Sequence, residues 1–164
     1  MSLPEADDDR RRAAMRRALE LAARCVEERG GGPFGAVVLK DGEVLAEGQN
    51  LVTVSGDPTA HAEIVAIRRA CERLGSFSLE GCELLSSCEP CPMCLGAIEW
   101  ARLDRLYFAA GRDDAARAGF DDARYYEELA TPYGARELPT GRLLADQGWA
   151  PFAAWLAKDD RTPY

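Results

Sequence analysis

The chain has a single histidine among its 164 residues, His61, so no metal centre built on several imidazoles is open to it. It also lacks any run of about 18 uncharged apolar residues, which excludes a membrane-spanning helix. The first residues are acidic where a secretory leader would be basic and then apolar, so a soluble, cytoplasmic protein is expected. Positive charge is scarce: 20 Lys and Arg stand against 28 Asp and Glu, a formal net charge of −8. Domains that track a phosphate backbone usually show a basic face, so nucleic acid is a poor partner and a small, neutral substrate a better one. No internal repeat or linker interrupts the sequence, and 164 residues with 47% hydrophobic side chains suffice for one compact domain over 1–164. The run from Asp7 to Arg12 reads as a solvated helix entrance.

What the chain does have is cysteine: six residues, three of them at Cys88, Cys91 and Cys94. Without a leader, such tight spacing fits a reducing compartment and a metal better than disulfides. An iron–sulfur run of the Cys-x₂-Cys-x₂-Cys-x₃-Cys-Pro kind would need a cysteine at position 98, which is Ile98.

Periodicity places these residues. Met15, Leu19, Ala22 and Val26 recur at helical spacing, and Gly30, Gly31, Gly32 and Pro33 end that helix. Residues 36–39 and 44–48 flank Asp41 and Gly42, a pair suited to a tight hairpin turn. Ile64, Ile67, Cys71 and Leu74 stripe a second helix that stops at Gly75, and residues 82–86 form a strand. Leu95, Ile98 and Ala101 mark a third helix entered through Pro92, followed by a strand over 103–109. Successive strand–helix–strand passes imply some parallel pairing in an α/β fold. Helical stretches near 125–129 and from Pro151 past Trp155 complete the chain.

His61 falls at the start of the second helix and Cys91 and Cys94 at the start of the third. Two thiolates and one imidazole select zinc in tetrahedral geometry, and the positive ends of two helix dipoles favour the thiolates. Together with Glu63 and Pro90 they match the H-x-E…P-C-x-x-C signature of zinc-dependent deaminases. Cys88 could close the site as a fourth ligand, but strand alternation points it into the core and a closed site leaves Glu63 without a task. Three protein ligands plus water is the expected arrangement, with Glu63 as proton shuttle. His61 and Glu63 would splay by roughly 200° within a regular helix, so they converge only if His61 lies at its very start.

From Gly31 onward the chain resembles the bacterial guanine deaminases of the cytidine deaminase superfamily. "GGPFGAVVLKDGEVLAEGQN", "DPTAHAEIVAIRRAC", "SCEPCPMCLGAIEWAR" and "AGFDD" follow that family's segments in its order. The resemblance implies a three-layer α/β/α fold with a five-stranded mixed sheet, and zinc-dependent hydrolysis of guanine to xanthine and ammonia. It also implies a homodimer that exchanges a C-terminal segment of about 148–164. It implies Asp122 as a second catalytic acid, Phe34 as a stacking face, and Asn50 and the Ala62 amide as base contacts. Trp100 and Tyr164 become pocket walls. Guanosine deaminase is the nearest rival, since Tyr164 would have to leave room for a ribose. A tRNA adenosine deaminase is disfavoured by the charge. A non-catalytic zinc protein is the rival of another class.

Overall fold

The computed structural model describes residues 5–28 and 31–164, with side chains from residue 8. Gly30 and the side chain of Asp7, both used in the sequence reading, lie outside the described residues. The chain splits into two compact units, residues 1–122 and 123–164.

The first unit opens with α1, Glu5–Glu27, followed by β1, Gly35–Lys40, and β2, Glu43–Gln49. Between the strands Asp41 and Gly42 both take positive φ, 52° and 77°. That pair of angles makes a turn whose twist matches the strands it joins, as the Asp-Gly pair foretells. A short helix α2, Val52–Ser55, leads to α3, Ala62–Leu74, which ends on Gly75 in the left-handed conformation (φ 62°). Then come β3, Cys82–Cys88, α4, Pro92–Trp100, β4, Arg105–Ala110, and α5, Arg112–Arg117. Sequence periodicity misses α2 and α5, which are too short to show an amphipathic repeat.

The sheet runs in the order β2-β1-β3-β4, with β3 and β4 parallel and the other neighbours antiparallel. Alternation along the central strands sorts the core into two layers. Val37, Leu39 and Leu85 face Ala14, Ala18 and Leu21 of α1. Ala36, Val38 and Leu84 face Ala62, Ala66, Ile67 and Ala70 of α3 with Ile98 of α4. The result is helix, sheet and helix in three layers. Both helices sit close to the sheet because glycine lies beneath them. A Cβ at Gly35 would run into the Ala18 carbonyl of α1, and one at Gly48 into the Ala62 carbonyl of α3.

That close approach corrects the reading of α1. The buried stripe is Ala14, Ala18, Leu21, Ala22 and Cys25, whereas Leu19 and Val26 are exposed. Small residues are needed where the backbones nearly touch, so the largest side chains do not mark the inner face. The sheet is corrected as well: four strands are present among the described residues, not five. After β4 the chain holds no six-residue apolar alternation. Residues 123–164 instead form α6, Ala123–Ala130, a single 3₁₀ turn, Tyr133–Ala135, and α7, Ala150–Leu156, joined by segments rich in Pro and Gly.

The second unit has no buried residue. Its Leu138, Leu143, Leu144, Trp149, Phe152 and Leu156 are all exposed, although Trp149 and Phe152 stack on each other at 5.8 Å. No described helix is long and apolar enough to cross a membrane.

Candidate active site

Two helix starts build the site. His61 is the N-cap residue of α3 in an extended conformation (φ −66°, ψ 156°), which frees its side chain from the helical splay. Its ring therefore meets the same space as Glu63, two residues on in the first turn. Cys91 caps α4 in the same conformation (φ −67°, ψ 168°), with Pro92 pre-set for the first helical position and Cys94 one turn further. Leu51 donates to the Ala60 carbonyl at 2.9 Å and ties the end of β2 to the residue before His61.

The donor atoms of His61, Cys91 and Cys94 all lie within 4.8 Å of one another. His61 Nδ1 stands 3.6 Å from Cys91 Sγ and 3.5 Å from Cys94 Sγ. A tetrahedral zinc bonded to one imidazole nitrogen and thiolates, with ordinary bond lengths, separates nitrogen from sulfur by about 3.6 Å. The cup thus fits the ion that its donor set selects. Cys94 donates to Cys91, and with His61 nearby this holds the Cys91 thiol down at about 4. Donating to that thiolate pushes the Cys94 thiol up, and the same thiolate raises the His61 imidazole. To hold zinc as a thiolate, Cys94 would give up that proton.

Glu63 is 5% exposed, and burial pushes its carboxyl up, while a hydrogen bond from Ser86 pulls the other way. Ser86 Oγ donates to Oε1 at 3.1 Å, and Oε2 lies 3.5 Å from Cys94 Sγ. A carboxyl raised by burial and set beside a metal site can both take and give a proton near neutral pH. Asp122 is half-buried; desolvation and then the Cys91 charge raise its carboxyl, which puts it within electrostatic reach of the ligands.

Of the other predicted site residues, Asn50 is buried and its Oδ1 accepts from the Val52 amide at 3.2 Å. Gly31, at φ 139°, passes so close that a Cβ would lie 2.7 Å from that oxygen. Phe34 is half-buried and takes the edge of Phe120 at 5.0 Å. Ala62 begins α3 beside His61, fully buried. Trp100 is exposed at the far end of α4 from Cys94, so one chain does not bring it to the ligands. Tyr164 is exposed at the end of the second unit. Cys88 stays out of the cup: it is buried, and its thiol lies 3.9 Å from the Gly111 carbonyl. Sequence reasoning passed over Ser86 and Phe120. The signal for Ser86 was a hydroxyl on the inner row of a strand otherwise lined by Cys82 and Leu84.

Comparison with known proteins agrees with this geometry. The family described as the cytidine and deoxycytidylate deaminase zinc-binding region matches residues 8–110. The guanine deaminase of Bacillus subtilis is 52% identical over 141 residues, covering 86% of this chain and 90% of that one. The crystal structure of guanine deaminase from Bacillus subtilis superposes with a TM-score of 0.91 at 49% identity, over 93% of this chain and 98% of the other. A tRNA-specific adenosine deaminase of Agrobacterium fabrum is 43% identical over 113 residues, 67% of this chain and 74% of its own. The chain belongs to the cytidine and deoxycytidylate deaminase family of zinc enzymes, on its guanine deaminase branch.

Proposed function

We propose that this protein hydrolyses guanine to xanthine and ammonia, with His61, Cys91 and Cys94 holding zinc and Glu63 carrying the proton. The observation behind the reading is a buried, protonatable Glu63 pressed against a three-ligand cup, in a chain similar to a guanine deaminase along nearly its whole length. Bound in the cup, zinc is the Lewis acid that makes water nucleophilic near neutral pH. Glu63 removes the water's proton as its oxygen attacks the amino-bearing ring carbon, and hands the proton to the adjacent ring nitrogen. The carboxylate then takes the water's second proton, from the hydroxyl now on the ring carbon, and delivers it to the amino group as the C–N bond breaks and the carbonyl forms, so the balance is guanine plus water to xanthine plus ammonia. Phe34, its ring anchored by Phe120, offers a stacking face, and Asn50 and the Ala62 amide supply edge contacts. Asp122, kept protonatable by desolvation, assists at the leaving amine.

The remaining roles belong to a homodimer. Residues 123–164 contain no fully buried residue although they carry Trp149, Phe152 and Leu156, an apolar surface of the kind that a second chain would cover. Exchange of the segment from about 148 to 164 would bring Tyr164 over a partner's site, where Trp100 would serve as the other pocket wall. Six free thiols suit the reducing cytoplasm. The net charge of −8 argues against the tRNA substrate of the adenosine deaminase relatives.

The test is ammonia release from guanine, guanosine, adenine, cytosine and cytidine by zinc-loaded enzyme. Guanine should lead by at least tenfold; preference for guanosine would move the reading to the nucleoside, and no release at all would leave a zinc-binding scaffold. Deleting residues 160–164 should keep zinc while sharply lowering guanine turnover. Full activity without them would remove Tyr164 from the pocket.

A further inference from the structure

Strand β3 presents two rows. Leu85 meets α1, and Cys82 and Leu84 meet the layer of α3 and α4. Ser86 continues the second row at 1% exposure, paired with Ala36 of β1 and Phe108 of β4. Neither neighbour has a polar side chain. An apolar residue would complete this row, whereas a buried hydroxyl must find a partner or lose its hydration uncompensated. Its partner is Oε1 of Glu63, and the opposite oxygen, Oε2, lies on the side of Cys94.

We infer that Ser86 is a positioning residue for the deamination: it anchors Glu63 through Oε1 and thereby assigns Oε2 to proton transfer. The inference rests on the reading of Glu63 as the proton carrier. A carboxyl turns easily about its last bond, with a broad two-fold preference, so an unanchored Glu63 would present either oxygen to the reacting water. A proton received on the wrong oxygen would point away from the leaving amine. The hydroxyl keeps its hold in both states. It donates to Oε1 of the carboxylate, and it still donates there when Oε2 carries the proton and Oε1 is the carbonyl oxygen. An arginine or lysine in its place would fix the carboxylate as an ion and spoil its basicity. A neutral donor fixes position and leaves the charge free to change.

Ser86→Ala and Ser86→Thr would be measured beside wild type for zinc content, kcat and KM on guanine, and urea midpoint. Ser86→Ala should retain one zinc per chain, lower kcat about 10- to 100-fold and hold KM within about twofold, the scale of a small misplacement at a reacting centre. Ser86→Thr, which restores the hydroxyl, should recover most of the kcat. On a Glu63→Gln background Ser86→Ala should cost no further rate. Ser86→Ala should also lower the urea midpoint in wild type and not in Glu63→Ala, because there the carboxylate has gone. A folded, zinc-loaded Ser86→Ala with wild-type kcat would overturn the inference, as would additive midpoint shifts. Failure of the wild type to act on guanine would sink the functional reading instead, and the midpoint cycle would still decide whether the two side chains are coupled.

Discussion

Two glutamates meet strand β3 toward its opposite ends, Glu83 from within the strand and Glu63 from α3 at Ser86, and their surroundings treat the same carboxyl in opposite ways. Glu83, near the hairpin, receives Arg11 Nε and Nη2 at 2.7 Å each and Arg105 Nη1 at 2.9 Å. The hydrogen bonds from Arg11, more than any other contact, hold its carboxyl below the ordinary range. Glu63, near the helix starts, meets a serine hydroxyl and a thiol, and burial pushes its carboxyl up. Glu83 is locked as an ion and joins α1, β3 and β4. Glu63 is left able to change charge, which is what proton transfer requires. A carboxylate flanked by guanidinium groups ties elements together; one held by a neutral hydroxyl beside the three-ligand cup suits the proton transfer proposed for it.

Removing a ligand breaks this contrast most completely. Cys91→Ser should lose zinc and all turnover, since two remaining donors cannot hold the ion, and elemental analysis of the purified variant checks it. Wild-type metal content in that variant would displace Cys91 from the cup. Glu63→Gln is sharper because it keeps the shape and removes only the exchangeable proton. Rate should fall by about 10⁴, the upper end for positioned acid–base catalysis, while zinc and the urea midpoint stay near wild type. A Glu63→Gln enzyme within tenfold of wild type would return Glu63 to a structural role.

The opposite end of the strand should fail in the opposite manner. Arg11→Ala leaves a largely buried Glu83 with only the more exposed Arg105, and breaking such a pair costs about 3 kcal/mol. It also removes the guanidinium that lies 5.4 Å over the Tyr107 ring. Stability falls; kcat measured well below the melting temperature does not. The pH dependence has a fixed sign. Because the folded pKa of Glu83 lies below its ordinary 4.5, its contribution is complete above that pH and drains away as pH falls through the depressed value. Urea midpoints between pH 6 and 3 should therefore drop less steeply in Glu83→Gln than in wild type. Parallel curves would mean that the ion pair adds nothing.

The metal ligands were legible because their chemistry is compressed into short spacings: one histidine, a Cys-x-x-Cys and a glutamate two residues from the histidine. Even the requirement that His61 precede the helix followed from the angle between neighbouring helical residues, and the N-cap conformation meets it. The hairpin and α3 were legible from turn residues and periodicity. What stayed hidden depended on contacts distant in sequence. The inner face of α1 is set by Gly35 beneath it, which no local pattern in α1 announces. Ser86 looks like a defect in an apolar row until α3 is packed against it. The fifth strand expected from resemblance has no alternating segment to form it, and local pattern outranks family expectation there.

The smallest expected effect tests whether the cup is open. Cys88 stands three residues before Cys91, the same spacing that separates Cys91 from Cys94, so by sequence it is an equal candidate for a fourth ligand. Strand β3 runs through Cys88, which pairs with Ala110 of β4, and its thiol turns to the Gly111 carbonyl at 3.9 Å. Burial pushes that thiol up, away from the thiolate form that zinc takes. In Cys88→Ser a hydroxyl of similar size would sit in the same place and donate to the same carbonyl. Zinc content should be unchanged, kcat should stay within about twofold, and stability should shift by less than about 1 kcal/mol, as for a substitution that neither opens a cavity nor strands a polar group. Loss of zinc in Cys88→Ser would mean that the thiol swings round to complete four protein ligands. No coordination position would then remain for water, and Glu63 would have nothing to deprotonate.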